Sequence, residues 1–199
     1  MLRKVLVVIA VAILTVGSAQ AQFKFGVRAG FNLTNLSFDQ ESGSLIRSDT
    51  KFKPGFQIGA VGDYSFGESF AIQPALVFAT QGCAIKDSGE TENLYYLQLP
   101  INAQYKLDLG KMKLLLQAGP YLGYGLGGKY EGEDITMGGG DDADYKALDF
   151  GVGVGAGLQF GNIQAALGYN IGIIDIDPSE YYSAKNSGLA LTLTYLFGK

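Results

Sequence analysis

The chain of 199 residues is about one domain long and contains 15 basic and 19 acidic residues. This mildly acidic balance argues against nucleic acid as a partner, because phosphate binding needs clustered cations. Histidine does not occur, so the commonest general base and metal ligand is missing, and we expect no cofactor. Cys83, the only cysteine, excludes an intrachain disulfide; we expect a small apolar filler, with an intermolecular disulfide as the alternative.

The first 21 residues have the features of a secretory signal peptide. Arg3 and Lys4 form a basic start, 5–16 is almost purely apolar, and Ala19-Gln20-Ala21 is a small-x-small cleavage pattern. An anchored N-terminal helix is the alternative, but about 12 apolar residues fall short of the roughly 20 that cross a bilayer. Cleavage would remove Arg3 and Lys4 and no acidic residue, which leaves 13 basic and 19 acidic residues in the domain 22–199 and a net charge of −6.

The mature chain is dominated by apolar residues at every second position. From Phe23 to Leu33 apolar residues alternate with polar residues or glycine, and only a β-strand places all of them on one face. This period of two recurs in seven further segments. The eight predicted strands are 23–34, 56–66, 70–78, 95–107, 114–126, 148–160, 163–171 and 189–197.

The connections between these strands alternate between short and long. The predicted short turns are Gly67–Glu68, 109–111 and Gly161–Asn162, and the long connections, rich in Gly, Asp, Glu and Ser, are 35–53, 83–93, 127–146 and 175–186. Such alternation is typical of outer-membrane barrels, which have short periplasmic turns and longer external loops. We therefore predict an all-β fold, an eight-stranded antiparallel up-and-down transmembrane β-barrel in a bacterial outer membrane, with both termini in the periplasm.

The two faces of the strands distinguish this barrel from a soluble one. A soluble barrel would turn its apolar face inward around a ligand, whereas the second face here is rich in Gly, Ala, Gln, Asn and Thr and suits a narrow lumen. Aromatic residues near the strand ends are typical of an interfacial girdle: Phe23, Phe66, Phe70, Phe160 and Phe197. The pattern favours an apolar face toward lipid.

Three prolines interrupt the predicted strands. Pro74, Pro100 and Pro120 each remove one hydrogen bond from a strand ladder, and a closed barrel has no edge strand to hold them. We expect these prolines to mark β-bulges at which the alternation can slip by a residue.

Short motifs spread over the whole mature chain carry a family resemblance. They are Phe25-Gly-Val-Arg-Ala-Gly-Phe-Asn32, Gly55-Phe-Gln-Ile-Gly59, Leu97-Gln-Leu-Pro-Ile101, Gly119-Pro-Tyr-Leu-Gly123, Asp149-Phe-Gly-Val-Gly153 and Lys185-Asn186. With them the chain resembles the PorT-like outer-membrane β-barrel family of Bacteroidetes-type bacteria, small barrels like those of the OmpA/OmpX type. The resemblance implies the barrel architecture and no catalytic residues. One namesake acts in assembling a secretion system, which makes that role an alternative function.

The third long connection is a candidate cation site. Its six acidic residues are Glu131, Glu133, Asp134, Asp141, Asp142 and Asp144. Hard cations such as calcium take several carboxylate oxygens, and the glycines at 138–140 would let them converge. The spacing differs from that of the twelve-residue calcium loop, so a solvated acidic loop is the preferred interpretation. A cation site, or contact with cation-bridged surface lipid, is the alternative.

The inward face carries charges and large side chains. Its charged residues are Lys24, Arg28, Asp63, Lys106, Lys113 and Asp149. Because unpaired burial of a charge is costly, we predict an ion pair between Arg28 and Asp149; alternatively each charge lies near a wet end of the barrel. Eight strands leave an interior that side chains can fill, and Tyr96 and Tyr121 are candidates to plug it.

These features favour a structural or interaction role without enzymatic activity, and the chain offers no marked catalytic residue. The missing histidine removes the usual Ser-His site, and Ser183 with Lys185 lacks any sign of activation. A narrow channel is the main alternative. Expected partners are outer-membrane lipid, the barrel-assembly machinery during folding, which reads an aromatic end such as Tyr195-Leu-Phe197, and an unknown protein at the four acidic external loops.

Overall fold

A computed structural model describes residues 22–40, 50–85, 90–139, 143–178 and 182–198. The predicted signal peptide, 1–21, lies outside these residues. The described residues contain no helix that is long and apolar enough to cross a membrane.

Eight long strands form the body of the described structure. They are β1 Gln22–Gln40, β2 Lys53–Phe66, β3 Phe70–Gln81, β4 Glu92–Asp108, β5 Lys113–Tyr130, β6 Leu148–Phe160, β7 Ile163–Gly172 and β8 Tyr182–Leu196. Each strand pairs antiparallel with the next one in the chain. The first and last strands pair from Gly26↔Leu196 to Gln40↔Tyr182, which closes the sheet. The predicted eight-stranded up-and-down barrel is confirmed.

Short and long connections lie at opposite ends of the barrel. At the short-turn end, Gly67, Gly110 and Gly161 adopt positive φ angles of 65°, 88° and 56°, a conformation that glycine reaches without steric cost. At the long-loop end, the connections contain short strands of their own. They are Thr50–Lys51 paired with Ala84–Ile85, Glu133–Ile135 paired with β5, and Met137–Gly138 paired with Tyr145–Lys146.

The outward face of the barrel is apolar and the inward face is polar or small. Large side chains such as Ile58, Leu122 and Leu193 are exposed around the wall, whereas Gln73, Gln104 and Thr194 are buried inside. The predicted girdle residues are all exposed, at the short-turn end: Phe23, Phe66, Phe70, Phe160 and Phe197. A soluble barrel would have the reverse arrangement, so this alternative is wrong.

The strands continue past the predicted boundaries at the long-loop end. The prediction ended the first strand at Thr34, but β1 runs to Gln40 and its partner β8 begins at Tyr182 rather than at 189. In this extension the alternation of burial continues, but the inward positions become apolar, since Leu36 and Ala184 point inward and are fully buried. The outward apolar alternation therefore marks only the part of each strand that faces lipid.

The prediction of bulges at the prolines is wrong. The residue pairs before and after Pro74 and Pro100 keep one register. Only a short stretch of the ladder next to each proline lacks pairs. Pro120 pairs with Val152 in an unbroken ladder. The register instead shifts where Tyr95 pairs with Gly127 and Tyr96 with Gly125. The bulge thus lies near the long-loop end, beside a glycine with a φ of 127°.

Candidate functional site

The lumen holds a buried ion pair near the short-turn end. Lys106 Nζ lies 3.1 Å from both carboxylate oxygens of Asp63, and both side chains are almost completely buried. Ser65 Oγ donates to Asp63 Oδ1 at 2.7 Å and accepts from Lys106 at 3.1 Å. These residues come from β2 and β4, which are separated in the sheet by β3, so the pair reaches across β3 on the lumen side.

Arg28 is joined to this pair through a glutamine. Its Nε donates to Thr194 Oγ1 at 3.0 Å and its terminal nitrogen donates to Gln73 Oε1. Gln73 Nε2 in turn donates to Asp63 Oδ2 at 3.0 Å. We call the connected set the lower network: Arg28, Asp63, Ser65, Gln73, Gln104, Lys106, Gln164 and Thr194. It contains two cations and one carboxylate, so its net charge is +1.

Two small cavities lie above the lower network. Arg28, Gln98 and Tyr121 line one of about 50 Å³, and Gln98, Tyr121 and Asn186 line another of about 20 Å³. Cavities of this size hold a few water molecules among the polar side chains, since a water needs roughly 10–15 Å³ of such space.

Asp149 is the centre of a second buried cluster. Its Oδ2 accepts from Tyr121 OH at 3.3 Å and from Asn186 Nδ2 at 3.1 Å, and Asn186 also donates to Tyr96 OH at 3.3 Å. The predicted ion pair between Arg28 and Asp149 does not form: Arg28 donates to Thr194 and Gln73, and Asp149 accepts from Tyr121 and Asn186. Tyr96 and Tyr121 do fill the lumen, and Tyr121 packs against Gly151, where any Cβ would lie 2.5 Å from its ring.

An apolar plug fills the lumen at the long-loop end. It consists of Leu36, Cys83, Leu94, Tyr96, Ile176 and Ala184, with Ile135, Met137 and Tyr145 packed against it. Cys83 is 1% exposed, as expected for an apolar filler, and burial raises the pKa of its thiol to about 12, with a smaller contribution from the nearby Glu92 carboxylate. The plug separates the polar lumen from the long connections.

The opposite end of the lumen is open. A cavity of about 330 Å³ at the short-turn end, which we call the vestibule, is lined by Lys24, Asp63, Ser65, Gly67, Glu68, Lys106, Lys113, Gln159 and Leu196. Lys106 and Asp63 of the lower network form its floor. Three of the predicted inward lysines therefore meet at one place.

The acidic residues of the third long connection do not gather into a metal site in the part of the chain that the structure describes. Asp134 lies 3.7 Å from Lys129 on the surface, and Asp144 accepts hydrogen bonds from the backbone N and Oγ1 of Thr136. Glu131 shares a hydrogen bond with Glu90, which raises the pKa of the Glu131 carboxyl, and Glu133 is exposed. Asp141 and Asp142 lie outside the described residues.

Sequence reasoning missed the neutral partners that organise the lumen. Gln73, Gln104 and Gln164 are buried and link strands that are far apart in the chain. The sequence feature that could have identified them is their place on the inward side of the alternating strands.

The Ser-Lys pair considered in the sequence analysis does not face the lumen. Ser183 and Lys185 both occupy outward positions of β8, opposite Asp39 and Ser37 of β1.

Comparison with known proteins agrees with this architecture. A family model described as an outer membrane protein beta-barrel domain matches residues 18–177. No curated protein matches the chain.

Two similar solved structures are the outer membrane protein OprG from Pseudomonas aeruginosa and Neisserial surface protein A. The first is 11% identical over 91% of this chain and 99% of that chain, with a TM-score of 0.53. The second is 16% identical over 87% of this chain and 97% of that chain, with a TM-score of 0.52. These likenesses show the fold, and the family match covers most of the sequence. The chain therefore belongs to the outer membrane beta-barrel domain family, and it is a small barrel of the bacterial outer membrane.

Proposed function

We propose that this protein is a non-conducting, non-enzymatic barrel that acts through its long-loop end as an interaction surface. The closed lumen carries this proposal. The lower network, the Asp149 cluster and the apolar plug occupy successive levels of the lumen. An eight-stranded barrel has an interior about wide enough for side chains alone, so these three layers leave no wide aqueous path.

The orientation in the membrane is part of the proposal. The long-loop end faces outward and both termini lie in the periplasm, as the short turns and termini share one end in outer-membrane barrels. The exposed carboxylates Glu131, Glu133 and Asp134 then form an acidic outer surface, which favours a basic protein partner or cation-bridged lipid. Membership of the PorT-like branch is likewise proposed, on the motifs from Phe25 to Asn32 and from Leu97 to Ile101.

A narrow channel is the second candidate, and the vestibule favours it. Its volume of about 330 Å³ opens the short-turn half of the lumen to solvent. Ions entering there would still have to pass the lower network and the plug. An enzyme at the rim is disfavoured because Ser183 and Lys185 lie on the outward side of the wall, with no histidine available as a base.

Planar-bilayer recording tests the closed lumen. We expect purified, refolded protein to give no discrete ion steps under conditions in which a 16-stranded porin gives them at once. Folding before insertion is checked by heat-modifiable migration in detergent gels. Regular steps from the folded protein would overturn the proposal and favour the channel.

The single native cysteine reports on the plug. We expect Cys83 of the folded barrel to react with a membrane-impermeant maleimide at pH 8 at least about a hundredfold more slowly than in the denatured chain, because its thiol is buried and its thiolate is scarce. Leu94→Ala with Ile176→Ala removes plug side chains and should make the folded protein react faster. Mass spectrometry of timed samples measures the rates.

Matched substitutions on the outer wall serve as the control. Leu97→Ala with Ile173→Ala changes the same strand and the same connection at exposed positions, so Cys83 should stay as slow as in the wild type. Rapid labelling of the folded wild-type protein would contradict a sealed plug.

A further inference from the structure

The vestibule has an excess of positive charge that its own carboxylates do not balance. Lys24, Lys106 and Lys113 line it together with Asp63 and Glu68. Both oxygens of Asp63 are engaged by Lys106 at 3.1 Å. Glu68 lies on an exposed turn, and Lys113 Nζ donates to its backbone carbonyl oxygen at 3.4 Å. The ammonium groups of Lys24 and Lys113 thus keep hydrogen-bond donors for a ligand.

The floor of the vestibule adds to this field. Arg28 is buried behind it with neutral partners, Thr194 and Gln73, and connects to the Lys106–Asp63 pair through Gln73. Charges in a poorly solvated lumen are screened less than charges on an open surface. The net charge of +1 in the lower network therefore favours an anion in the vestibule, next to the Lys106–Asp63 pair.

We propose that the vestibule is a binding site for a phosphate-type oxyanion, held by Lys24 and Lys113 over the Lys106–Asp63 pair. Lysine ammonium groups bind phosphate as point charges, and two of them suit a dianion. The volume of about 330 Å³ also accommodates a short organic group, so a phosphate ester of the size of glycerol phosphate fits. This site goes beyond the proposed function, because a barrel with a closed lumen exists with or without it.

Titration of folded protein with inorganic phosphate in zwitterionic micelles, followed by ³¹P NMR and calorimetry, tests the site. The wild type should bind saturably with one phosphate per barrel. The double variant K24Q/K113Q should weaken the affinity about tenfold or more, because it removes two charge-assisted contacts. Lys24→Gln alone should weaken it about threefold and serves if the double variant does not fold.

A second double variant, K129Q/K185Q, is the control, because it also removes two lysine charges. These two lysines lie at the long-loop end, so this variant should bind phosphate like the wild type. Absence of saturable binding, equal weakening in both double variants, or unchanged affinity in K24Q/K113Q would each overturn the proposal. None of these results would affect the bilayer recording, so the two proposals fail separately.

A measurement in nanodiscs distinguishes a lipid headgroup from a free phosphate ester as the natural ligand. Glycerol 3-phosphate is titrated into protein in discs of phosphatidylcholine and in discs that contain phosphatidylglycerol. A lower apparent affinity in the second discs assigns the site to lipid headgroups that compete for it. Equal affinity in both assigns the site to a free phosphate ester.

Discussion

Replacing Asp63 by Asn is expected to destabilise the folded barrel by about 3 kcal/mol. Asn keeps the shape of the side chain and an acceptor for Gln73, but it leaves Lys106 as a buried cation without its counter-charge. Breaking a buried pair from one side typically costs roughly 3–5 kcal/mol. The lower value applies here because Lys106 borders the vestibule and keeps some access to water.

A double variant separates the charge effect from a general loss of packing. D63N combined with Lys106→Met removes both charges and keeps at position 63 an acceptor for Gln73, so no buried charge is left unpaired and the stability should return to within about 1 kcal/mol of the wild type. Unfolding by urea in lipid vesicles is followed by circular dichroism and gel mobility, since the chain contains no tryptophan.

The exposed pair Lys129–Asp134 provides the control for Asp63. Its side chains are 57% and 83% exposed, against 6% and 2% for Lys106 and Asp63. Asp134→Asn should therefore change the free energy of unfolding by less than about 0.5 kcal/mol. If D63N were as mild as this control, the lower network would not contribute to the stability of the barrel.

The sequence predicted the lipid-facing wall but not the charge partners inside it. Residues such as Leu97 and Leu193 follow the period of two that a lipid-exposed strand requires, so strand number and facing could be predicted. Which inward charges meet depends on the tilt and stagger of the strands, and the alternation of apolar and polar residues gives no information about either. This is why Lys106 pairs with Asp63, while Arg28 and Asp149 bind neutral side chains instead.

The long-loop end could not be predicted because its pattern reverses. Leu36, Leu94 and Ile176 are buried in the plug, at positions that the lipid-facing pattern would assign to a polar face or to a loop. Beyond the lipid, the barrel buries apolar groups inside, as a soluble protein does. A sequence prediction that follows only outward apolar residues therefore ends strands such as β1, β5 and β8 too early and misses the plug.

Gly59→Ala is expected to prevent most of the protein from reaching the folded state. Gly59 occupies an inward position of β2, and a Cβ there would lie 2.0 Å from the carbonyl oxygen of Leu76 and 2.6 Å from Val77 Cα. These atoms belong to the backbone of β3, the paired strand, so no rotamer change relieves the contact. The two strands would have to separate, which exceeds the roughly 1–3 kcal/mol of ordinary overpacking.

Gly168→Ala is the matched control for this effect. Gly168 also points inward, but its added Cβ would meet only the Val154 carbonyl oxygen, at an ordinary 3.4 Å. That variant should fold like the wild type, or gain up to about 1 kcal/mol because alanine restricts the unfolded chain. Alternation in the sequence places both glycines on the lumen side and cannot tell them apart; the distance to the neighbouring backbone does. The fraction of heat-modifiable protein after refolding measures the difference, and equal fractions for the two variants would contradict this account of how the strands approach one another.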